Sequence, residues 1–145
     1  KKNGIEENKI IFMERLKSNE AHLKLYNKID ISLDTFPFCG ATTTFESLWM
    51  GVPTITLSGK IFNSKFGVSI NKNLNLNDLI AKDKIDYIEK TNLICSDLNN
   101  LSKIRKSLRS LVINSALFDN KSLGLSLGKI LQDKWNMFSK LNKNS

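Results

Sequence analysis

The chain has 145 residues, of which 41% are hydrophobic and 25% are charged, a composition that suits one globular domain with a genuine core. No apolar run is long enough to cross a bilayer, and no signal-peptide pattern opens the sequence, so we expect no membrane partner. Cys39 and Cys95 are too few for a disulfide framework, and a single His cannot complete a zinc site with them. We therefore expect free thiols, no metal site and a reducing, cytoplasmic location.

The net charge of +8 favours an anionic partner such as nucleic acid or a phosphate-bearing ligand. The lysines are spread along the chain, however, and no basic run is interleaved with aromatic residues. We favour solvated surface lysines and expect no nucleic-acid partner. A basic nucleic-acid-binding module stays open as the weaker alternative, and a phosphate-bearing small ligand fits either interpretation.

Short apolar runs alternate with helical patterns in the first half of the chain. Residues 10–13 form an apolar run bounded by charge, which predicts a buried strand. Ser18 offers N-capping chemistry for a helix that continues to Asn27. The β-rich residues 29–33 then predict a second strand, which ends at Asp34.

The helix after this strand has the clearest pattern in the sequence. Phe45, Leu48 and Trp49 follow three threonines and share one helical face. Gly51 fits a left-handed C-terminal cap, and Pro53 beyond it cannot continue the helix. The pattern therefore predicts a helix that begins at the threonines and ends before Gly51.

The rest of the chain predicts one more strand and then helices. Residues 54–57 are short and β-branched, which completes a strand–helix–strand–helix–strand pattern typical of a parallel sheet. The helical segments that follow are residues 62–70, 85–95, 98–113 and 122–141. We thus predict one α/β lobe over residues 1–145, with a short parallel sheet in about 1–81 and a helical part in about 82–145.

Two pairs of large side chains in these helices have ordinary explanations. Trp49 and Trp135 fall on apolar helical stripes, so we favour core packing over sugar stacking. Arg105 and Arg109 are four residues apart on one helical face, and we expect both to be exposed to solvent.

The segment 34–46 combines a strand end, a loop containing Gly40 and a helix start, which is where open parallel sheets bind ligands. Free amide groups and the positive end of the helix dipole favour an anion there. Thr42, Thr43 and Thr44 add hydroxyl groups, so a diphosphate could be held without a metal. Gly40 stands in no GxGxxG or Walker pattern, so the segment alone is a weak signal.

The same residues also fit a purely structural role. Thr43 and Glu46 have the spacing of a capping box, in which Thr43 caps the helix and Glu46 reaches back to the same turn. On local evidence we favour capping over phosphate binding, although the two roles can coexist at different threonines.

The sequence also resembles a known family along nearly its whole length. The resemblance rests on the segments IDISLDTFPF (residues 29–38), GATTT (40–44) and ESLWMGVP (46–53), and it extends from residue 9 to Trp135. They resemble the core motif of glycosyltransferase family 41, in the C-terminal part of its catalytic region. That family contains the protein O-GlcNAc transferases and the SPINDLY-type protein O-fucosyltransferases.

The resemblance implies a GT-B enzyme, of which this chain would be the partial Rossmann-like C-terminal lobe. Such enzymes are inverting and metal-independent and use a UDP- or GDP-linked sugar as substrate, without a cofactor. They transfer the sugar to Ser or Thr hydroxyls of a protein acceptor and usually carry tetratricopeptide repeats before the catalytic region. An inactive GT-B-like binding or scaffold domain remains the alternative.

The resemblance also implies that parts of the enzyme lie outside this chain. These are a lysine that neutralises the departing diphosphate and the N-terminal, acceptor-binding lobe. We name no catalytic base and expect the chain alone to be inactive. If the last helix packs against the other lobe, part of its surface at Leu127, Trp135 and Phe138 would be exposed here.

The family motif assigns the diphosphate to the helix start. It places Thr42 and Thr43 in contact with the diphosphate, with Thr44, Gly40 and Ala41 beside them. The O-GlcNAc branch carries a His where this chain has Ala41. That departure weakens the case for UDP-GlcNAc.

The family motif also implies which residues contact the nucleoside. Glu46 matches the acidic residue that binds the ribose, and His22 matches a position beside the base, although a lone helical His is usually only a surface residue. Asp is usual at the position of Glu46 in the O-GlcNAc branch, whereas Glu is similar to the SPINDLY branch. The sequence therefore leans slightly towards a GDP-sugar and leaves the nucleotide open.

Overall fold

The computed structural model describes residues 4–14 and 16–143, so both ends of the predicted domain and residue 15 lie outside the described part. The strands are β1 (Ser32–Leu33), β2 (Thr54–Leu57) and β3 (Ile80–Ala81). The α-helices are α1 (Asn19–Leu25), α2 (Thr42–Trp49), α3 (Phe66–Asn73), α4 (Lys84–Ser96), α5 (Leu98–Ile113) and α6 (Asn120–Lys143). The element order confirms an α/β part followed by helices.

The strands form one parallel sheet in the order β1-β2-β3. Ser32 pairs with Thr54 and Thr56 pairs with Ile80, and the connections between strands run through α2 and α3. The central strand β2 is almost fully buried, and α3 and α4 both contact it. Helices that cover a parallel sheet explain why this strand is a short, nearly continuous β-branched and apolar run.

The sheet differs from the predicted strands at three places. The strand predicted over residues 29–33 is limited to its last two residues, those of β1. Residues 10–13 form no strand, and Ile11 and Phe12 are 80% and 91% exposed. An apolar run becomes a buried strand only beside a pairing partner, and none of the described residues pairs with this one. Ile80–Ala81 was missed because two residues are too few to show a period of two.

The helix predictions agree more closely with the structure. The α2 helix ends as predicted, because Gly51 has a φ of +75° and its N–H donates to the Leu48 carbonyl at 3.0 Å. The bounds predicted for residues 98–113 are those of α5. Residues 62–70 are not one helix but a 3₁₀ turn, Phe62–Ser64, followed by α3.

The core consists of two clusters on the helical layers around β2. One contains Leu48, Ile70, Leu74, Leu108 and Val112, and the other contains Ile55, Leu79, Ile94 and Leu101. Trp49 packs against the first cluster and stacks on Phe118 with ring centroids 5.3 Å apart. The prediction of core packing is therefore confirmed for Trp49.

The long helix α6 has no such core. Trp135 is 63% exposed, so its predicted core packing is wrong, because no described element covers that face of the helix. Leu127 and Phe138 are exposed as well, as expected for a helix whose apolar side lacks a partner. Despite its length, α6 is not apolar enough to cross a membrane, and neither is any other helix in the described part.

The two arginines of α5 behave differently from each other. Arg105 is partly buried, and its Nη1 donates to the carbonyls of Ile29 and Asp30 at 2.6 and 2.8 Å, so the predicted free exposure is wrong. These carbonyls precede β1, where the sheet does not use them, and the two N–H groups of one guanidinium nitrogen satisfy both. Arg109 is exposed as predicted, with its Cζ 5.1 Å from the Trp49 ring centroid.

Candidate functional site

A buried carboxylate organises the loop at the end of β1. Asp34 is 7% exposed, and its Oδ1 accepts the N–H of Gly40 while its Oδ2 accepts the hydroxyl of Thr56, both at 2.7 Å. The Tyr87 hydroxyl donates to the Asp34 backbone carbonyl at 2.8 Å. Asp34 thus joins the loop to β2 and α4, although sequence reasoning saw it only as a strand end.

The loop between Asp34 and α2 is held by further hydrogen bonds. The hydroxyl of Thr35 donates to the Phe38 carbonyl at 2.7 Å, and the N–H of Cys39 donates to the Asn63 carbonyl at 3.1 Å. The Cys39 side chain is buried and also faces that carbonyl, at 3.2 Å from Sγ. The loop is therefore fixed to the neighbouring segment after β2.

Gly40 lets the loop pass close against the first turn of α2. A Cβ at this position would collide with the Thr43 hydroxyl and would lie 3.1 Å from Thr44 Oγ1 and 3.4 Å from Asp34 Oδ1. A larger residue would require the Thr43 side chain to turn away and the Thr44 hydroxyl to shift slightly. The glycine in this loop is thus explained by close approach.

The amino end of α2 carries no side-chain cap. Its N-cap residue is Ala41, which makes no capping hydrogen bond, and Thr42 and Thr43 are exposed. The first amides of a helix have no partner within the helix, and the helix dipole is positive there. Two exposed hydroxyls beside such amides form a surface that suits an anion.

The capping box predicted for α2 is wrong. The helix begins two residues earlier than a Thr43 cap requires, so Thr43 lies inside the first turn, and Glu46 does not reach back to it. Thr44 also differs from the prediction of three available hydroxyls. Its side chain is 2% exposed and its hydroxyl donates to the Gly40 carbonyl at 3.0 Å. Thr44 therefore stabilises the turn.

Glu46 points across to α1 and the 3₁₀ turn that follows it, Tyr26–Lys28, and meets two side chains there. Its Oε2 lies 3.1 Å from His22 Nε2 and 3.3 Å from the Tyr26 hydroxyl. The Tyr26 hydroxyl also lies 3.4 Å from the Thr43 carbonyl, so it faces two acceptors on α2. The structure thus brings together His22 and Glu46, which are far apart in sequence.

Tyr26 is a residue of this cluster that sequence reasoning missed, because it falls with Leu23 and Leu25 on the apolar stripe of the helix predicted after Ser18. The four-residue spacing from His22 was the available signal, since it places both side chains on one helical face. Their rings meet edge to face with centroids 5.8 Å apart. Burial and then the nearby Glu46 carboxylate raise the pKa of Tyr26 to about 12, so its hydroxyl remains a donor at neutral pH.

A pocket of about 340 Å³ opens beside this cluster, a volume within the range of small-molecule sites. Its lining residues are Asn19, His22, Leu23, Phe45, Glu46, Trp49 and Phe118. Two of the three polar side chains of the cluster, His22 and Glu46, therefore line one cavity with three aromatic rings, one turn along α2 from its open amino end. Within residues 4–14 and 16–143, no three His, Cys, Asp or Glu side chains are grouped to hold a metal ion.

A parallel sheet whose strand-end loop leads into an open helix start is typical of the Rossmann-like class of α/β folds. Residues 1–127 match the family described as Glycosyl transferase family 41. The chain belongs to glycosyl transferase family 41.

Curated relatives agree with this assignment. The chain is 36% identical over 135 residues to a protein of Solanum lycopersicum named probable UDP-N-acetylglucosamine–peptide N-acetylglucosaminyltransferase SPINDLY. That match covers 93% of this chain and 14% of the tomato protein. A Caenorhabditis elegans UDP-N-acetylglucosamine–peptide N-acetylglucosaminyltransferase is 26% identical over 136 residues, which cover 93% of this chain and 12% of the nematode protein. The chain therefore spans only a small part of the length of these relatives.

A solved structure supports the fold. A mutant O-GlcNAc transferase of Thermobaculum terrenum superposes with a TM-score of 0.74 at 31% identity, over 81% of this chain and 23% of that one. The predicted fold class is confirmed: a partial Rossmann-like lobe of a GT-B glycosyltransferase, with a short parallel sheet followed by helices.

Proposed function

We propose that this chain is the donor-binding portion of an inverting, metal-independent glycosyltransferase. The donor is a UDP- or GDP-linked sugar, and the acceptor is a Ser or Thr hydroxyl of a protein. Membership of the family and the names of the relatives, which describe transfer to peptides, support this proposal. A second GT-B lobe binds the acceptor, and tetratricopeptide repeats accompany it, so the chain alone is inactive.

The observation that carries the proposal is the uncapped amino end of α2. Thr42 and Thr43 present exposed hydroxyls beside its free amides, and Gly40 allows the loop to lie close against this first turn. The diphosphate binds there, held by hydroxyls, by amides that include those of Ala41 and Thr44, and by the helix dipole. These groups need no metal to offset the diphosphate charge.

The nucleoside occupies the pocket one turn further along the helix. Glu46 accepts a hydrogen bond from a ribose hydroxyl, and His22 lies beside the base. The diphosphate and the nucleoside are thus bound by the same α2 helix.

This arrangement favours departure of the sugar from its donor. In an inverting transfer the acceptor hydroxyl attacks the anomeric carbon from the face opposite the nucleoside diphosphate. Negative charge then grows on the leaving phosphate oxygen, next to the amino end of α2. Dipoles fixed in advance at that point lower the barrier because they need no reorganisation during the reaction.

The test is calorimetric titration of UDP and GDP into the purified protein and its Thr42→Ala/Thr43→Ala variant. We expect one nucleotide to bind the unmodified protein and the double variant to bind it at least tenfold more weakly, about 1.4 kcal/mol. Ser126→Ala, on the exposed face of α6, is the matched hydroxyl deletion and should leave the affinity unchanged.

The outcomes separate the candidate functions. Binding of one nucleotide also identifies the base of the donor. If folded protein binds neither UDP nor GDP, the donor site is refuted and the scaffold alternative takes its place.

A further inference from the structure

We propose that Tyr26 is a positioning residue that, together with His22, orients the Glu46 carboxylate for recognition of ribose hydroxyls. The inference rests on the proposed donor site and assigns a role to a residue outside the family motif described above. The geometry around the Glu46 carboxylate carries it.

The two oxygens of that carboxylate have different surroundings. Oε2 faces two side chains, His22 Nε2 of α1 at 3.1 Å and the hydroxyl of Tyr26, the residue after α1, at 3.3 Å. None of the described residues donates to Oε1, and the Glu46 side chain is 30% exposed. The contacts from His22 and Tyr26 therefore fix Oε2 and leave Oε1 free to accept a hydrogen bond from a hydroxyl of a ligand in the pocket.

Tyr26 suits this positioning role because its own side chain is restrained. Its ring is partly buried at the end of α1 and packs edge to face against His22. A free Glu side chain has three rotatable bonds, and binding a ligand would have to order them. Contacts made before the ligand arrives reduce that loss, so the orientation of Glu46 is set in advance.

The same hydroxyl links the two halves of the site. Its proton can reach the Glu46 carboxylate or the Thr43 carbonyl, at 3.3 and 3.4 Å. The charged carboxylate is the stronger acceptor, so the hydroxyl chiefly restrains Glu46. Loss of the hydroxyl should affect ribose recognition more than diphosphate binding.

The experiment compares two ligands: the nucleoside diphosphate that binds, UDP or GDP, and its 2′,3′-dideoxy analogue. The unmodified protein should bind the ribose form roughly tenfold more tightly, because the analogue leaves a carboxylate oxygen unpaired. Tyr26→Phe should reduce this preference by about threefold or more while leaving the affinity for the dideoxy analogue unchanged. Glu46→Ala should abolish the ribose preference. Adding Tyr26→Phe to Glu46→Ala should cause no further loss of affinity for the ribose form.

Tyr87→Phe is the matched control, because it also removes one hydroxyl, which donates to the Asp34 carbonyl in the loop before α2. It should change both affinities by the same factor and leave the ribose preference intact.

Three results would overturn the inference. The first is an equal loss of affinity for both ligands in Tyr26→Phe, which would mark a purely structural role. The second is a ribose preference that Tyr26→Phe leaves unchanged. Either result leaves the proposed function standing if Thr42→Ala/Thr43→Ala still weakens binding. The third is failure of the unmodified protein to bind either nucleotide, which would refute the proposed function as well.

Discussion

The carboxylate of Asp34 accepts one hydrogen bond on each oxygen, from the Gly40 N–H on one side and the Thr56 hydroxyl on the other. Thr56 is fully buried, and Gly40 is partly so. Removal of the carboxylate would leave both donors without a partner in a place that water reaches poorly. The position of the candidate site thus depends on a residue that need not touch a ligand.

Asp34→Ala should therefore lower the free energy of unfolding by about 2–4 kcal/mol, measured by urea denaturation. Asp133→Ala, an exposed Asp on α6, should change it by less than about 0.5 kcal/mol. Similar losses in the two variants would show that the Asp34 hydrogen bonds add little to stability.

At the scale of single residues, a sequence motif can propose the residues that face a ligand, but it does not reveal the side chains that support them. His22, Thr42, Thr43 and Glu46 were identified from a motif, and the structure places all four on adjoining turns of α1 and α2. The role of Tyr26, in contrast, depends on a contact between segments that no local pattern encodes.

Predictions of helices and strands have the same limit, because a local pattern does not show contacts between distant segments. Helices such as α5 extend over several turns, so their apolar period is visible and their bounds could be predicted. β3 has two residues and forms because β2 pairs with it, which is a tertiary cause, and the same pairing limits β1 to the last two residues of its predicted run. The capping box failed for a related reason, since α2 begins at Thr42 and Glu46 contacts His22 and Tyr26 of another segment.

The contact of α3 with the sheet depends on the absence of a side chain at Gly67. A Cβ there would lie 2.5 Å from Thr56 Oγ1 and 2.6 Å from Asp34 Oδ2. Gly67→Ala should lower the free energy of unfolding by about 1–3 kcal/mol because α3 must move outward.

Gly128→Ala is the matched helical control, since a Cβ at Gly128 meets nothing within 4 Å. It should leave stability unchanged or raise it by up to about 1 kcal/mol, because alanine favours a helix. Urea denaturation followed by circular dichroism measures both variants, and a neutral Gly67→Ala would refute the tight packing of α3.

The whole molecule contains helices with two different roles. Helices α2 to α5 contribute buried residues to two core clusters, whereas the described side chains of α6 are exposed apart from the partly buried Ser139. The stability of the domain should therefore depend on the earlier helices and hardly on the apolar side of α6.

A pair of leucine truncations tests this division. Leu48→Ala in α2 should lower the free energy of unfolding by about 2–5 kcal/mol, because Leu48 is fully buried. Leu127→Ala in α6, at a side chain 53% exposed, should change it by less than about 0.5 kcal/mol. A large effect of Leu127→Ala in urea denaturation would show that α6 is packed in solution.

The central position of β2 also has a consequence for the order in which the chain folds. Each neighbour reaches β2 only after an intervening helix has closed a loop, so neither strand pair can begin as a hairpin. Closing such loops lowers chain entropy before the sheet contacts offset the loss, which slows folding. The helices can form locally at an early stage. We therefore expect the arrival of both neighbours at β2 to determine the folding rate of this lobe.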